Sequence, residues 1–442
     1  MHLAAIGSRR PRPLSRLGVR HRRRGITTAA SVTLLAMSLV GVEASASSQQ
    51  AADDPSVISD WNTVAFETIT IDAGKANVEG FIWLAFEQAA VYNAVVGITG
   101  QYELYNWNVR GPRGASPQAA AAVAAHDVLL EYFPGSQGRL HTALAKSLGE
   151  IPDGPQKMQG IRYGERAADR LIELREDDGR FAPITFDVPP APGVWRPTPP
   201  AFAPFFDPWI SQLRPLLIDS PSQFRPGPPP AMTSQAYTDD FNEVKAVGSA
   251  TSTVRTADQT TTARFIAGST LPLVTSSLRD LAARHQLDIS DSARLFGAVA
   301  MSAADAAITS WDAKYTFGLW RPITAIQLAD TDDNPNTAPD PTWVPLLATP
   351  PYPDYTSGLT SLVGAITRTL SGTLELGGGR IDVNITVAGV TRHYEFASLL
   401  NQDAIDARVW SGIHFRTADL VGSAIGTEVG DWALDNYFQP TG

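Results

Sequence analysis

Residues 186–230 constrain the fold most, because little of that stretch can be helix or sheet. The run Pro197-Thr-Pro-Pro-Ala-Phe-Ala-Pro204 shows why: each proline fixes φ and removes a backbone donor. Trp195, Phe202, Phe205, Phe206 and Trp209 stand among those prolines, so a freely solvated linker is a poor reading. The segment is expected to lie across a folded core, and long ordered loops of this kind often serve as the wall of a substrate channel.

Helical patterns occupy both sides of it. Phe81 to Val96 is apolar nearly all round and too long for a strand, which predicts a buried helix. Ser116-Pro117 opens an Ala-rich helix that closes before Pro134. Further helices are expected over 137–148, 156–175, 234–247, 256–267, 360–370, 401–413 and 417–437. The longest runs from Ser290 to Lys314, with Ser290 or Asp291 as its cap. Residues 380–396 alternate around Ala388-Gly389 and read as a β-hairpin. The fold class is therefore mainly α: helical bundles in two four-helix-bundle-like halves, long Pro-rich loops and one small hairpin.

Eight Arg between Arg9 and Arg24, an apolar run from Ile26 to Val40 and Ala44-Ser45-Ala46 read as a signal peptide over 1–46. The run is too short to span a bilayer. Export by the general secretory or the twin-arginine route is expected, and with it a secreted location. Residues 47–60 are small and polar and are expected to be flexible, leaving 61–442 as a single domain. Removing 1–46 takes away eight Arg and one Glu, so the net charge of −10 becomes −17. That balance argues against nucleic acid and anionic membranes as partners. No later segment has 18 uninterrupted apolar residues, so no stable membrane anchor is expected. The absence of Cys excludes thiolate chemistry and disulfides.

Three fragments between 314 and 414 carry chemistry. Lys314 and Arg321 are seven apart, but Gly318 and Pro322 make an unbroken helix unsuited and favour an ordered turn. Ser357-Gly358 precedes a helix, where free amides and the helix dipole attract anions; an ordinary N-cap serine explains the pair equally well. Arg408 and His414 are six apart, and Gly412 would let the chain bend to bring them together. Leu359, Leu362, Val363 and Ile366 form one apolar helical stripe. Taken singly, each fragment is better read as structural. Asp330-Thr-Asp332-Asp333-Asn334 begins like a calcium loop but has Pro335 where Gly is needed, and reads as a plain loop.

Taken in order, Lys-x6-Arg-Pro, Ser-Gly and Arg-x5-His resemble the vanadium-dependent haloperoxidases, which share a superfamily with bacterial acid phosphatases. The surrounding sequence agrees, including Trp320-Arg-Pro-Ile-Thr-Ala-Ile326, Thr349-Pro-Pro-Tyr-Pro353 and Gly412-Ile-His-Phe-Arg416. The resemblance implies vanadate, or phosphate in the same place. His414 would be the axial ligand, Lys314, Arg321 and Arg408 would neutralise the equatorial oxygens, and Ser357 with the Gly358 amide would donate hydrogen bonds. His414, Lys314 and Arg408 are the catalytic candidates and His414 the metal ligand. Hydrogen peroxide, a halide and a small organic substrate would be the partners, with bromide or iodide favoured over chloride. A phosphatase using His414 as nucleophile and a non-catalytic oxyanion binder are the alternatives. The family pattern has His after Ser-Gly. Here Leu359 stands there, and general acid–base catalysis worth roughly 10²–10⁴-fold is put in doubt.

Overall fold

The computed structural model describes residues 54–75, 77–268 and 270–442. The signal peptide expected over 1–46 lies outside the described residues. The flexible stretch expected over 47–60 is corrected at its C-terminal end. Helix α1 (Ser56–Phe66) starts inside it and continues as a π-helical turn to Asp72. Val57, Ile58, Trp61 and Ala65 on one side of α1 are buried, and burying that stripe stabilises a helix whose propensity alone would not.

The N-terminal half continues with α2 (Asn77–Thr99), α3 (Pro117–Tyr132), α4 (Gln137–Gly149) and α5 (Pro155–Leu174). Helix α2 is apolar and long enough to cross a membrane, but its surface is almost wholly buried in the fold. Ser116 caps α3 by accepting from the Ala119 amide. Gly160 and Gly164 of α5 meet α3 so closely that a Cβ would lie 2.3 Å from Ser116 O and 2.4 Å from Ala120 O.

The C-terminal half comprises α6 (Gln235–Val247), α7 (Ala257–Ile266), α8 (Thr270–Arg284), α9 (Ile289–Phe317), α10 (Pro322–Gln327), α11 (Gly358–Thr373), the hairpin β1 (Arg380–Val387) and β2 (Val390–Phe396), α12 (Ala397–Trp410) and α13 (Arg416–Asn436). The hairpin is antiparallel with a register shift between Arg380 and Val383. Helix α8 was not expected from the sequence. Helix α9 is the axis, packing on α2 in one half and on α11 and α13 in the other. Its cap is Asp288, which accepts from the Asp291 amide, rather than Ser290 or Asp291.

The Pro-rich segment is strapped to this axis. Buried Asp305 of α9 accepts from the amides of Leu216, Leu217 and Ile218 at 2.8, 2.6 and 3.0 Å. Arg225 donates through two nitrogens to Asp312, at 2.5 and 2.6 Å. The Trp195 amide donates to Gly318 O, and the Trp320 amide to Gly193 O. The strap therefore fixes the turn that follows α9.

Candidate active site

Lys314 lies in the last turn of α9, which ends when Gly318 adopts a left-handed conformation at φ 55°. The chain then runs extended through Arg321 before Pro322 opens α10. This is the ordered turn that the spacing of Lys314 and Arg321 allowed. Both cations are fully buried. Lys314 Nζ donates to the carbonyls of Pro353 and Asp354, at 2.8 and 3.0 Å. Arg321 Nε donates to Tyr352 O at 2.6 Å, and Nη1 to Ile413 O at 2.7 Å. The Tyr352 ring covers both cations, 4.8 Å from Lys314 Nζ and 4.7 Å from Arg321 Cζ.

His414 reaches the same place from the other side. Helix α12 stops at Trp410, and Gly412 turns the chain at φ 77°. A Cβ on Gly412 would lie 2.4 Å from Gly248 O, so only glycine fits that bend. His414 is fully buried. Arg321 Nη1 lies 3.0 Å from its Nε2, and Asp354 Oδ1 lies 2.9 Å from its Nδ1. A proton on Nδ1 suits both contacts. The Asp354 approach is close but not aligned as a hydrogen bond, and neither Asp354 oxygen has a directed donor.

Ser357 and Gly358 form the third side. The Ser357 amide donates to Ala418 O at 2.9 Å, which ties the start of α11 to α13. Ser357 makes no side-chain cap bond, so the ordinary N-cap reading does not describe it. Gly358 opens α11, where first-turn amides lack helical acceptors. A Cβ at 358 would sit 2.9 Å from the Trp311 ring. Arg408, in the last turn of α12, is 7% exposed.

These groups leave donors unspent. Arg321 Nη2, Arg408 Nε and Ser357 Oγ are buried without a hydrogen-bond partner. Arg408 and Tyr352 line a cavity of about 410 Å³ walled by Trp311, Phe206, Leu359, Ile413 and others. Phe206 comes from the Pro-rich strap, and its carbonyl accepts from Trp311 Nε1 at 3.2 Å. The strap is thus part of the cavity wall. Leu359, half-buried, and Leu362, buried, both line it, while Val363 and Ile366 are buried away from it.

Burial and mutual repulsion shape the protonation. Desolvation, then Arg321, hold the Lys314 ammonium well below its usual range. Desolvation, with Arg321, Lys314 and Arg408, lowers His414 well below the usual imidazole value, which keeps it neutral. Two acids were missed from the sequence. Asp354 is pushed up to about 7 by desolvation, against the pull of Arg321 and Lys314. Asp419, in the first turn of α13, is raised well above the carboxylate range by burial. It faces Ser357 and Arg408 without a well-formed hydrogen bond. The only available signal was their nearness in sequence to Ser357 and His414. Burial thus pushes Lys314 and both acids toward their neutral forms and leaves the guanidinium groups as charge in a dry interior, a costly state that a bound anion would relieve. Among the described residues, no cluster of three or more His, Asp or Glu could hold a metal cation.

Comparison with known proteins agrees in region and in fold. Residues 294–441 match the family described as the second helical-bundle domain of VCPO. Vanadium chloroperoxidase of Curvularia inaequalis is 34% identical over 94 residues, 19% of this chain. The match spans only 15% of that relative's length. A bacterial vanadium-dependent iodoperoxidase has a similar structure, with a TM-score of 0.74 at 24% identity, covering 88% of this chain and 98% of that one. The apo form of a bacterial vanadium-dependent chloroperoxidase gives 0.63 at 17% identity, covering 80% and 92%.

Proposed function

We propose that this chain, which belongs to the vanadium-dependent haloperoxidase family, holds vanadate between Lys314 and His414 and oxidises bromide or iodide with hydrogen peroxide. One observation carries the reading: buried donors on Arg321, Arg408 and Ser357 have no acceptor in the protein, and Arg408 among them lines a cavity. That donor set fits a tetrahedral oxyanion, since each unspent N–H or O–H can donate to a different oxygen and the guanidinium donors are charge-assisted. When bound, vanadate supplies Lewis-acid activation of peroxide toward a halide.

The protein's own residues do the rest. Lys314, Arg321 and Arg408 would neutralise the oxyanion, and Ser357 and the Gly358 amide would donate to it. His414 would meet it through Nε2, because Nδ1 faces Asp354, with Arg321 Nη1 giving up its present contact with that nitrogen. Arg321 Nη2, Arg408 Nε and Ser357 Oγ are unspent before the anion arrives, so apart from the Arg321–His414 contact little reorganisation is needed. Leu359 gives no proton, which favours halides that are easily oxidised. Similarity in fold to an iodoperoxidase supports that order. Hydrogen peroxide, the halide and an organic acceptor are the partners this reading requires. Export remains a proposal that rests on the pattern of residues 1–46 alone.

The test is vanadium content after dialysis against orthovanadate, paired with bromination of a phenolic dye. One equivalent of vanadium with bromide-dependent turnover is expected. No turnover from acid to mildly alkaline pH would overturn the assignment. The same donors also fit phosphate, and neutral His414 favours a second reading as a phosphoryl acceptor. Phosphohistidine trapped at position 414 would select it.

A further inference from the structure

The oxyanion cavity has an apolar neighbour. A second cavity, of about 60 Å³, lies behind Leu359, between α11, α8, the end of α7, α12 and strand β1. Leu359, Val363, Ile366 and Leu370 of α11 supply one wall, and Leu273, Val274 and Leu278 of α8 another. Its lining is almost entirely apolar. Ser277 is one of its few polar residues, and that hydroxyl is already spent on Asn384 O at 2.8 Å. Leu359 and Thr270 line both cavities, so the two share a wall at the residue that follows Gly358.

We infer that the two cavities together bind an uncharged organic molecule with an aromatic head and a short alkyl tail. The head would lie in the larger cavity, beside Trp311 and Tyr352, and the tail would pass Leu359 into the apolar chamber. Three features favour this occupant. The chamber gives water almost no partners, and apolar cavities of this kind stay dry. Filling it with hydrocarbon therefore displaces no well-held water. A charged tail would lose its hydration there without gaining a counter-ion, because Arg408, on the far side of Leu359, is the only charged residue lining either cavity among the described residues. Finally, about 60 Å³ is several times the roughly 10–15 Å³ that holds one water, which suits a chain of roughly four carbons.

The consequence concerns selectivity. Where the organic acceptor binds next to the oxyanion, Leu359 both withholds a proton and presents an apolar side chain to the tail. The acceptor's role depends on the haloperoxidase reading given above, whereas binding itself does not. The phenol titration omits vanadate, halide and peroxide, and orthovanadate uptake and bromide oxidation are read separately.

Calorimetric titration of the full chain with 4-methylphenol and 4-butylphenol reads the tail directly. Affinity is expected to rise about fourfold for each methylene that enters the chamber. Val274→Phe should fill the chamber from α8 and abolish the gain, leaving 4-methylphenol and orthovanadate binding unchanged. Val363→Ala should enlarge it and shift the best tail to a longer one, a gain that a misfolded variant cannot show. Equal affinity for the two phenols would overturn the inference, as would a gain that survives Val274→Phe. Tail-dependent binding without bromide oxidation would support the chamber and overturn the haloperoxidase reading. Bromide oxidation without tail dependence would do the reverse.

Discussion

Two neighbouring surfaces of one helix differ sharply. At the start of α11, Ser357 and Gly358 face buried cations and leave polar groups unspent. One residue later, Leu359 faces an almost wholly apolar chamber. The first surface combines backbone amides and the Ser357 hydroxyl with charges from α9, the turn after it and α12. The second is lined by apolar side chains of several elements, and Leu359 is where it borders the first. Holding an anion and supplying a proton are therefore separable, and a change at 359 can remove the proton donor and leave the anion pocket standing.

The comparison breaks most severely at its polar side. His414→Ala should take bromide oxidation to background and abolish stoichiometric vanadium uptake, measured by metal analysis. Arg408→Ala removes one buried donor and should cost about 10²–10³ in kcat, as for other preorganised donors. If Arg408→Ala retained full kcat, the donors would not act on the reacting oxyanion.

The apolar side is sharpened by Leu359→His. Restoring an acid–base group should raise the bromide rate, by up to about 10²-fold at the low end of general acid–base effects. It should also weaken the binding of apolar phenols. An unchanged rate with intact vanadate binding would mean that the site diverges beyond this residue.

A smaller effect tests the unbalanced charge. An oxyanion that binds only the folded state should stabilise it by about 2.7 kcal/mol at one hundred times its Kd. Denaturant unfolding with and without orthovanadate measures this, and Arg408→Ala should abolish most of the increment at the same concentration. An equal increment in the variant would place the anion elsewhere.

Much of this was legible before the structure. Helix-period runs gave both halves, and the aromatic prolines of 186–230 foretold a segment laid on the core. Gly318 and Pro322 foretold the turn between Lys314 and Arg321, and Gly412 the bend between Arg408 and His414. What escaped depends on long-range packing. Helix α1 looked polar because its apolar stripe is sparse and stabilised only by contact. Helix α8 carries Pro272 and a Ser/Thr-rich sequence of weak propensity. Asp288, Ser290 and Asp291 all offered a cap, and chain geometry chose the first. Asp354 and Asp419 read as ordinary acids, since nothing local reveals that both are fully buried beside cations from distant segments.

Asp354 supplies the last test. Its folded value, about 7, lies above the ordinary 3.8, so the folded state binds the extra proton. Stability from this group is full below about pH 4 and is lost as pH rises toward 7. His414 acts in the opposite sense. Its folded value is depressed, so its contribution is full above the ordinary imidazole range and is lost on acidification. The two trends offset each other in the anion-free protein. Asp354→Asn removes only the first. Relative to the parent, the variant should therefore gain stability as pH rises from about 4 to 7, by at most about 1.4 kcal/mol per pH unit. Urea unfolding of both proteins without oxyanion measures the difference. Parallel curves would mean that Asp354 is ionised in the folded state, and the cations beside it would then already be partly balanced.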